Sequence, residues 1–327
     1  MGHEDIIIIG GGPCGIAASL ALQKKGFQPL IIEKGNIVNS IYHYPTHQTF
    51  FSSSEKLEIG GVPFITENRK PKRNQALAYY RSVVEREQPR IHRFETVTKI
   101  EKEQHGETFH ITTTKDTYKA KYVVVATGYY DHPNVMGVLG EDLPHIHHYF
   151  HEAHPYFQQR AVVIGGKNSS VDAALELVFA GAYVTVLYRG DTYSSSVKPW
   201  ILPEFEALVR NGTIQMEFRA NVKAFTPESV FYEKDGEEES VPADVVFAMT
   251  GYRPDHAFLR RIGVKSDEET GRPTFSEETM ETNVRNCFIA GVIAAGNNAN
   301  EIFIENGRFH GGQIAECIAT REGVQKQ

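Results

Sequence analysis

The stretch DIIIIGGGPCGIAAS, residues 5–19, limits what this chain can fold into more than any other. Four isoleucines, Ile6 to Ile9, form a short β-branched run with no polar alternation. Such a run is a strand buried on both faces. Gly10, Gly12 and Gly15 follow in GxGxxG spacing, then IAASLALQKKG predicts a helix closing at Gly26, and PLIIEK a second strand ending in Glu33. The glycines allow a tight turn and a close backbone approach. The helix start supplies unpaired N–H groups and a positive dipole end, which suit a pyrophosphate. An acid after the second strand accepts from ribose hydroxyls. The glycine spacing alone is a weak signal, but strand, loop, helix, strand and acid in this order are a strong one.

The unit is written twice. RAVVIGGKNSSVDAALELVFAGAYVTVLYRG spans 160–190, and Gly165 to Gly181 repeats the sixteen-residue interval from Gly10 to Gly26. In that register Tyr188 replaces Glu33 and Arg189 replaces Lys34. An acid there would repel a 2′-phosphate, whereas an arginine binds one, so the second site is expected to prefer NADPH to NADH. Its loop departs from the first. Lys167 holds the middle-glycine position, able to reach a phosphate or to crowd the backbone approach, and Ser170 holds the third. Ser169 and Ser170 are candidate helix caps and phosphate donors. Asp172 is expected in the helix's first turn, where its charge suits the dipole.

YVVVATGYY (122–130) and DVVFAMTGYRPD (244–255) echo one another, ending in Thr127-Gly128 and Thr250-Gly251. Each is expected to close its sheet, with the His- and Pro-rich stretch between reading as linker. The expected fold is α/β, with two Rossmann-like dinucleotide-binding domains, the second (130–255) inserted into the first (1–129 and 256–327). NCFIAGVIAAG then supplies a strand and turn, and NEIFIENGRFHGGQIAECIAT a helix. A net charge of −7 argues against a nucleic-acid protein. No apolar run approaches a membrane span, and the apolar start leads into a glycine loop, not a cleavage site. Three cysteines without CxxC fit a reducing cytosol.

Two tandem units, the ATG triplet and the C-terminal strand–glycine–helix resemble the two-dinucleotide-binding-domain flavoproteins. More closely, IIIIGGGPCGIAASLALQKKG, VVIGGKNSSVDAALEL and IFIENGRFHGGQIAEC resemble the thioredoxin-reductase-like bacillithiol disulfide reductases. The resemblance implies a cytoplasmic NADPH-dependent FAD enzyme that reduces a small-molecule disulfide, forms a homo-oligomer and has no nucleic-acid or membrane partner. It implies that Gly10, Gly12, Pro13, Cys14 and Gly15 line the FAD pyrophosphate, with Glu33 on the adenosine ribose and Lys34 beside it. Val97 would meet the adenine by its backbone, and Thr127, Gly128 and Gly291 would complete the FAD site. Gly165, Gly166, Lys167, Asn168, Ser169 and Ser170 would take the NADPH phosphates, Arg189 the 2′-phosphate, and Lys198 would assist. Two departures stand out. Many relatives carry Gly-Asp where this chain has Gly291-Val292, which shifts the ribityl contact toward Gly296, Asn297 and Asn298. The CxxC of thioredoxin reductases is missing before the second loop, where the chain reads HHYFHEAHPYF.

Electrons therefore pass to a small disulfide either directly from the flavin or through a single cysteine. Cys287 and Cys317 read as packing residues. Cys14 is the candidate catalytic thiol; the alternative is a small residue filling a tight slot. A helix start lowers a thiol pKa and a neighbouring pyrophosphate raises it. The linker histidines match no consistent face, and no metal is expected. Arg69, Lys70, Lys72 and Arg73 read first as a solvated loop and second as an anion-binding rim. Three other functions stay open. Residues 49–64 resemble a flavin monooxygenase segment, but FxGxxxH is missing. The others are an electron transferase to ferredoxin or flavodoxin, and a non-enzymatic redox sensor.

Overall fold

A computed structural model of the chain describes residues 2–103, 106–298 and 300–324. It divides into two units, one running through His132 and resuming at Tyr252, the other Pro133–Gly251. The first unit opens with β1 (Gly2–Ile9), α1 (Pro13–Gln23) and β2 (Leu30–Ile32). Ile6 to Ile9 are all buried, each contributing roughly 1.5–3 kcal/mol. Pro13 starts α1, where its missing N–H costs nothing, and alanines and leucines carry the helix on. There follow α2 (Asn39–Tyr42), α3 (Arg73–Glu87), β3 (Arg90–His92), β4 (Val97–Lys102), β5 (Phe109–Thr113) and β6 (Thr117–Val125). The sheet order is β3-β2-β1-β6-β5-β4, parallel through β6 and then antiparallel.

In the second unit β7 (Ile146–His147) precedes β8 (Arg160–Ile164), α4 (Asn168–Phe179), β9 (Tyr183–Tyr188), α5 (Leu202–Arg210) and β10 (Ile214–Phe218). A small antiparallel sheet of β11 (Asn221–Phe225), β12 (Ser229–Lys234) and β13 (Glu237–Pro242) leads to β14 (Val245–Ala248). The main sheet runs β10-β9-β8-β14-β7, all parallel. Its first four strands repeat the topology β3-β2-β1-β6, so the sequence repeat is a structural repeat. The His-rich stretch is more than a linker, because β7 extends this sheet.

The chain then returns to the first unit through α6 (His256–Ile262), β15 (Cys287–Ile289), α7 (Ile304–Gly307) and α8 (His310–Arg321). β15 pairs with the C-terminal half of β6, on the side where β5 pairs with its N-terminal half. Neither β6 nor β14 closes its sheet; both are internal. Where one C-terminal helix was expected there are two, α7 and α8.

The return is anchored on α1. A Cβ at Gly311 of α8 would sit 2.5 Å from Ala18 Cα, so the two helix backbones touch. Gly311→Ala is expected to cost about 1–3 kcal/mol by overpacking. Urea denaturation monitored by circular dichroism checks this, and an unchanged midpoint would show that the contact yields freely.

Candidate dinucleotide and thiol sites

The glycines of the first loop do different work. Gly10 (φ +108°) and Gly15 are held by backbone: a Cβ at Gly10 would lie 2.4 Å from the Ala126 carbonyl oxygen, and one at Gly15 2.0 Å from that of Gly10. Nothing lies within 4 Å of a Cβ at Gly12, the residue that opens α1. No side chain caps α1, so no side chain satisfies its first N–H groups. Gly128 (φ +70°) is open in the same way, and the buried hydroxyl of Thr127 has no partner among the described residues. An uncapped helix start, a bare glycine face and an orphaned hydroxyl fit a bound dinucleotide such as FAD.

Glu33 is buried and its two oxygens accept from Gly11 N–H at 2.6 Å and Gly35 N–H at 2.7 Å. Burial raises its pKa, while those two N–H groups and Lys34 work the other way. Each oxygen keeps a second lone pair for a ribose hydroxyl. Lys34 is already paired with Asp131 at 2.8 Å. Val97 begins β4 opposite Thr113, just beyond buried Glu95, which accepts from Thr113 and Tyr118 hydroxyls at 2.6 and 2.8 Å. Sequence reasoning passed over that network, because nothing in the spacing of Glu95, Thr113 and Tyr118 marks them as neighbours.

Cys14 sits in the first turn of α1, half-buried. Its sulfur would lie 3.0 Å from a Cβ at Gly291 and 3.1 Å from one at Gly307. The protein packed around it pushes the thiol up to about 12, so desolvation outweighs the helix end. Burial and electrostatic coupling to Cys14, among other groups, also raise the phenols of Tyr44 and Tyr80. Cys287 is fully buried, but Cys317 is only half-buried, near Arg321 and Glu281. Gly291 N–H donates to Nδ1 of His310 at 3.1 Å, a contact the sequence did not signal. Gly296, Asn297 and Asn298 are committed elsewhere. A Cβ at Gly296 would strike the 270–272 backbone, Asn297 bonds His256 at 2.8 Å, and Asn298 accepts from Asn300 N–H. Arg73 serves as an internal clamp for the Ile41 and Tyr42 carbonyls, not as an anion rim.

In the second loop Gly165 (φ +136°) meets the Met249 carbonyl, and the Tyr188 ring covers Gly166, where a Cβ would sit 2.5 Å away. Two expected phosphate donors are used internally. Ser170 is buried and donates to the Lys167 carbonyl at 2.8 Å. The Asn168 amide donates to Ser196 O and accepts from Lys198 N–H, both at 2.9 Å, which brings residue 198 beside the start of α4. Neither serine caps that helix. Lys167 and Ser169 are exposed. Arg189 is exposed and has no ion-pair or hydrogen-bond partner among the described residues. Asp172 lies in the second turn of α4, not the first; burial, with Glu176 adding repulsion, lifts its carboxyl to about 7. Among the described residues no three His, Cys, Asp or Glu side chains form a metal-binding group, and no helix is long and apolar enough to cross a membrane.

A two-unit α/β chain with paired nucleotide loops defines a class of nicotinamide-dependent flavoproteins, and the comparisons place it. The chain belongs to the pyridine nucleotide-disulphide oxidoreductase family, which it matches over residues 7–291. It is 68% identical to the bacilliredoxin reductase Bdr of Bacillus subtilis (strain 168), covering 98% of this chain and 99% of that one. It matches the structure of bacillithiol disulfide reductase Bdr (YpdA) from Bacillus cereus with TM-score 0.96 and 67% identity, over 98% of this chain and 99% of that one. The Staphylococcus aureus counterpart gives TM-score 0.96 and 57% identity, over 98% and 100%. The resemblance to the bacillithiol disulfide reductases therefore holds over nearly the whole chain.

Asp172 gives a pH prediction. Its folded pKa lies above the usual carboxylate value, so the stability it contributes is full below about pH 4 and is lost as pH rises toward 7. Asp172→Asn is expected to raise Tm at pH 8 and leave it unchanged at pH 4. An equal shift at both values would show that the charge is not the cause.

Proposed function

We propose that the protein is an NADPH-dependent FAD flavoenzyme that reduces bacillithiol disulfide to two thiols. The observation that carries the reading is 67% and 57% identity over nearly the full chain to two bacillithiol disulfide reductases. The overall reaction is NADPH + H⁺ + RSSR → NADP⁺ + 2 RSH. When bound, FAD supplies the two-electron relay between the nicotinamide and the disulfide. Its pyrophosphate is assigned to the open face of Gly12 and the uncapped start of α1, beside Gly10, Pro13, Cys14 and Gly15. Glu33 takes the ribose, the backbone at Val97 takes the adenine, and Thr127, Gly128 and Gly291 line the same unit. On the second unit Gly165, Gly166, Lys167 and Ser169 are assigned to the NADPH phosphates and Arg189 to the 2′-phosphate, with Lys198 held near by Asn168. A reducing compartment such as the cytoplasm suits three free thiols. A homo-oligomer belongs to the same reading.

Cys14 is assigned as the exchanging thiol. Cys287 is sealed in β15, and Cys317 lies toward the end of α8. The substrate disulfide first exchanges with Cys14, releasing one thiol and leaving the second half joined to the sulfur. A hydride equivalent from NADPH, two electrons and one proton, together with one proton from solvent, then releases that half as a thiol and restores Cys14 as a thiol. Until exchange, burial keeps the sulfur protonated and slows its oxidation by peroxide.

Anaerobic turnover of NADPH tests the reading, with bacillithiol disulfide, bacilliredoxin in mixed disulfide with bacillithiol, ferredoxin and an organic substrate with oxygen offered in turn. Turnover with the small disulfide supports it; turnover confined to any other acceptor replaces it. Cys14→Ser is expected to keep NADPH oxidation by an artificial acceptor and lose disulfide reduction by about tenfold or more. Wild-type rates in that variant would mean that the disulfide is reduced without a protein thiol. Arg189→Ala is expected to weaken NADPH by about ten- to a hundredfold, the scale of one charge-assisted phosphate contact, and to leave NADH unchanged. Equal loss for both would take the 2′-phosphate away from Arg189.

A further inference from the structure

Cys14 is backed by a three-part contact that the sequence motifs do not mark. On one side is Gly291, in the left-handed region at φ +80°, where β15 gives way to the next turn. Beside it, on the same side, is Gly307, at the end of α7. A Cβ at Gly307 would meet Gly291 Cα at 3.0 Å and the Cys14 sulfur at 3.1 Å, and a Cβ at Gly291 would meet the same sulfur at 3.0 Å. The sulfur therefore rests directly on two bare backbones. Those backbones are joined a second time, because His310, at the start of α8, accepts the Gly291 N–H on Nδ1 at 3.1 Å. One short segment thus grips Gly291 twice, by packing at Gly307 and by hydrogen bonding at His310.

We propose that His310 is a positioning residue for Cys14: by accepting the Gly291 N–H it holds Gly291 against the thiol as a backstop, so that the sulfur can meet another sulfur only from its open side. The physical basis is twofold. A mixed disulfide places its second sulfur about 2.05 Å from the first, and Gly291 and Gly307 leave no such space on their side. The Gly291 N–H would otherwise be left without a partner, which frees the turn to drift off the thiol. Burial lowers the His310 pKa and keeps the imidazole neutral, the form in which Nδ1 accepts. The contribution to turnover rests on the reading of Cys14 as the exchanging thiol; the contribution to thiol reactivity does not.

The test is the rate at which the flavin-loaded protein's Cys14 is alkylated by monobromobimane at pH 9, located by peptide mass mapping, with flavin absorbance recorded for each variant. His310→Leu keeps the bulk and removes the acceptor; the sulfur retreats over the vacated turn and labelling falls about tenfold, the effect of one buried hydrogen bond. His310→Asn, whose Oδ1 takes the place of Nδ1, restores the rate to within about threefold of wild type, a gap smaller than one such bond. Labelling of His310→Leu at the wild-type rate or faster overturns the proposal, and so does an Asn variant as slow as Leu. If His310→Leu does not retain flavin, Gly307→Ala probes the other backbone. Its methyl presses the sulfur toward the open side and labelling rises several-fold; an unchanged or slower rate overturns the proposal. Cys14→Ser with full disulfide reductase activity would remove the catalytic reading and leave these labelling results standing, so the two failures are distinguishable.

Discussion

The close approach of β1, α1 and β6 at the first glycine loop is the constraint on which the rest of the first unit depends. Gly15 lies against the Gly10 carbonyl and Gly10 against that of Ala126, at separations where any side chain would collide with backbone. This fixes where α1 begins. It leaves α1 starting without a side-chain cap, with room beside Gly12 and beside Gly128. The same placement sets Cys14 on Gly291 and Gly307, and sets Ala18 against Gly311. The N-terminal loop and the C-terminal return are therefore one construction, although nearly three hundred residues separate them.

The second unit repeats this plan with altered side chains. Gly165 again approaches a carbonyl just beyond the neighbouring strand, here Met249 after β14. The acid that follows β2 is replaced by an aromatic ring over Gly166, and the cation next to it is left exposed and without an ion pair among the described residues. Lys34, at the matching place in the first unit, is neutralised by Asp131. One scaffold so holds a buried, hydrogen-bonded carboxylate in one copy and an exposed guanidinium in the other. That difference is the basis of the proposed placement of FAD on the first unit and NADPH on the second.

Much of this was legible in the sequence, and the reason is geometric. Strand, loop and helix lengths must be conserved for a Rossmann-like unit to close, so the sixteen-residue interval between glycines survived even where Lys167 and Ser170 replaced the motif residues. The family could be read from the same stretches. Side-chain partnerships were not legible. Asn168 and Ser170 have the right chemistry for a phosphate, yet each found a backbone partner inside its own unit, a choice that depends on loop positions the sequence does not encode locally. Asn297 is another such case, bonded to His256 across forty-one residues. The thiol's pKa could not be read either, since the deciding influence is burial, and the backbones packed on the sulfur, Gly291 and Gly307, are distant in the chain.

The most direct measurement is the flavin content of a Gly12→Glu variant. The space beside Gly12 admits the side chain without disturbing the fold, but its carboxylate would occupy the place assigned to the pyrophosphate and repel it. The variant is expected to be folded by circular dichroism and to purify without the flavin absorbance of the wild type. A folded variant carrying one FAD per chain would contradict the assignment of the cofactor to this loop.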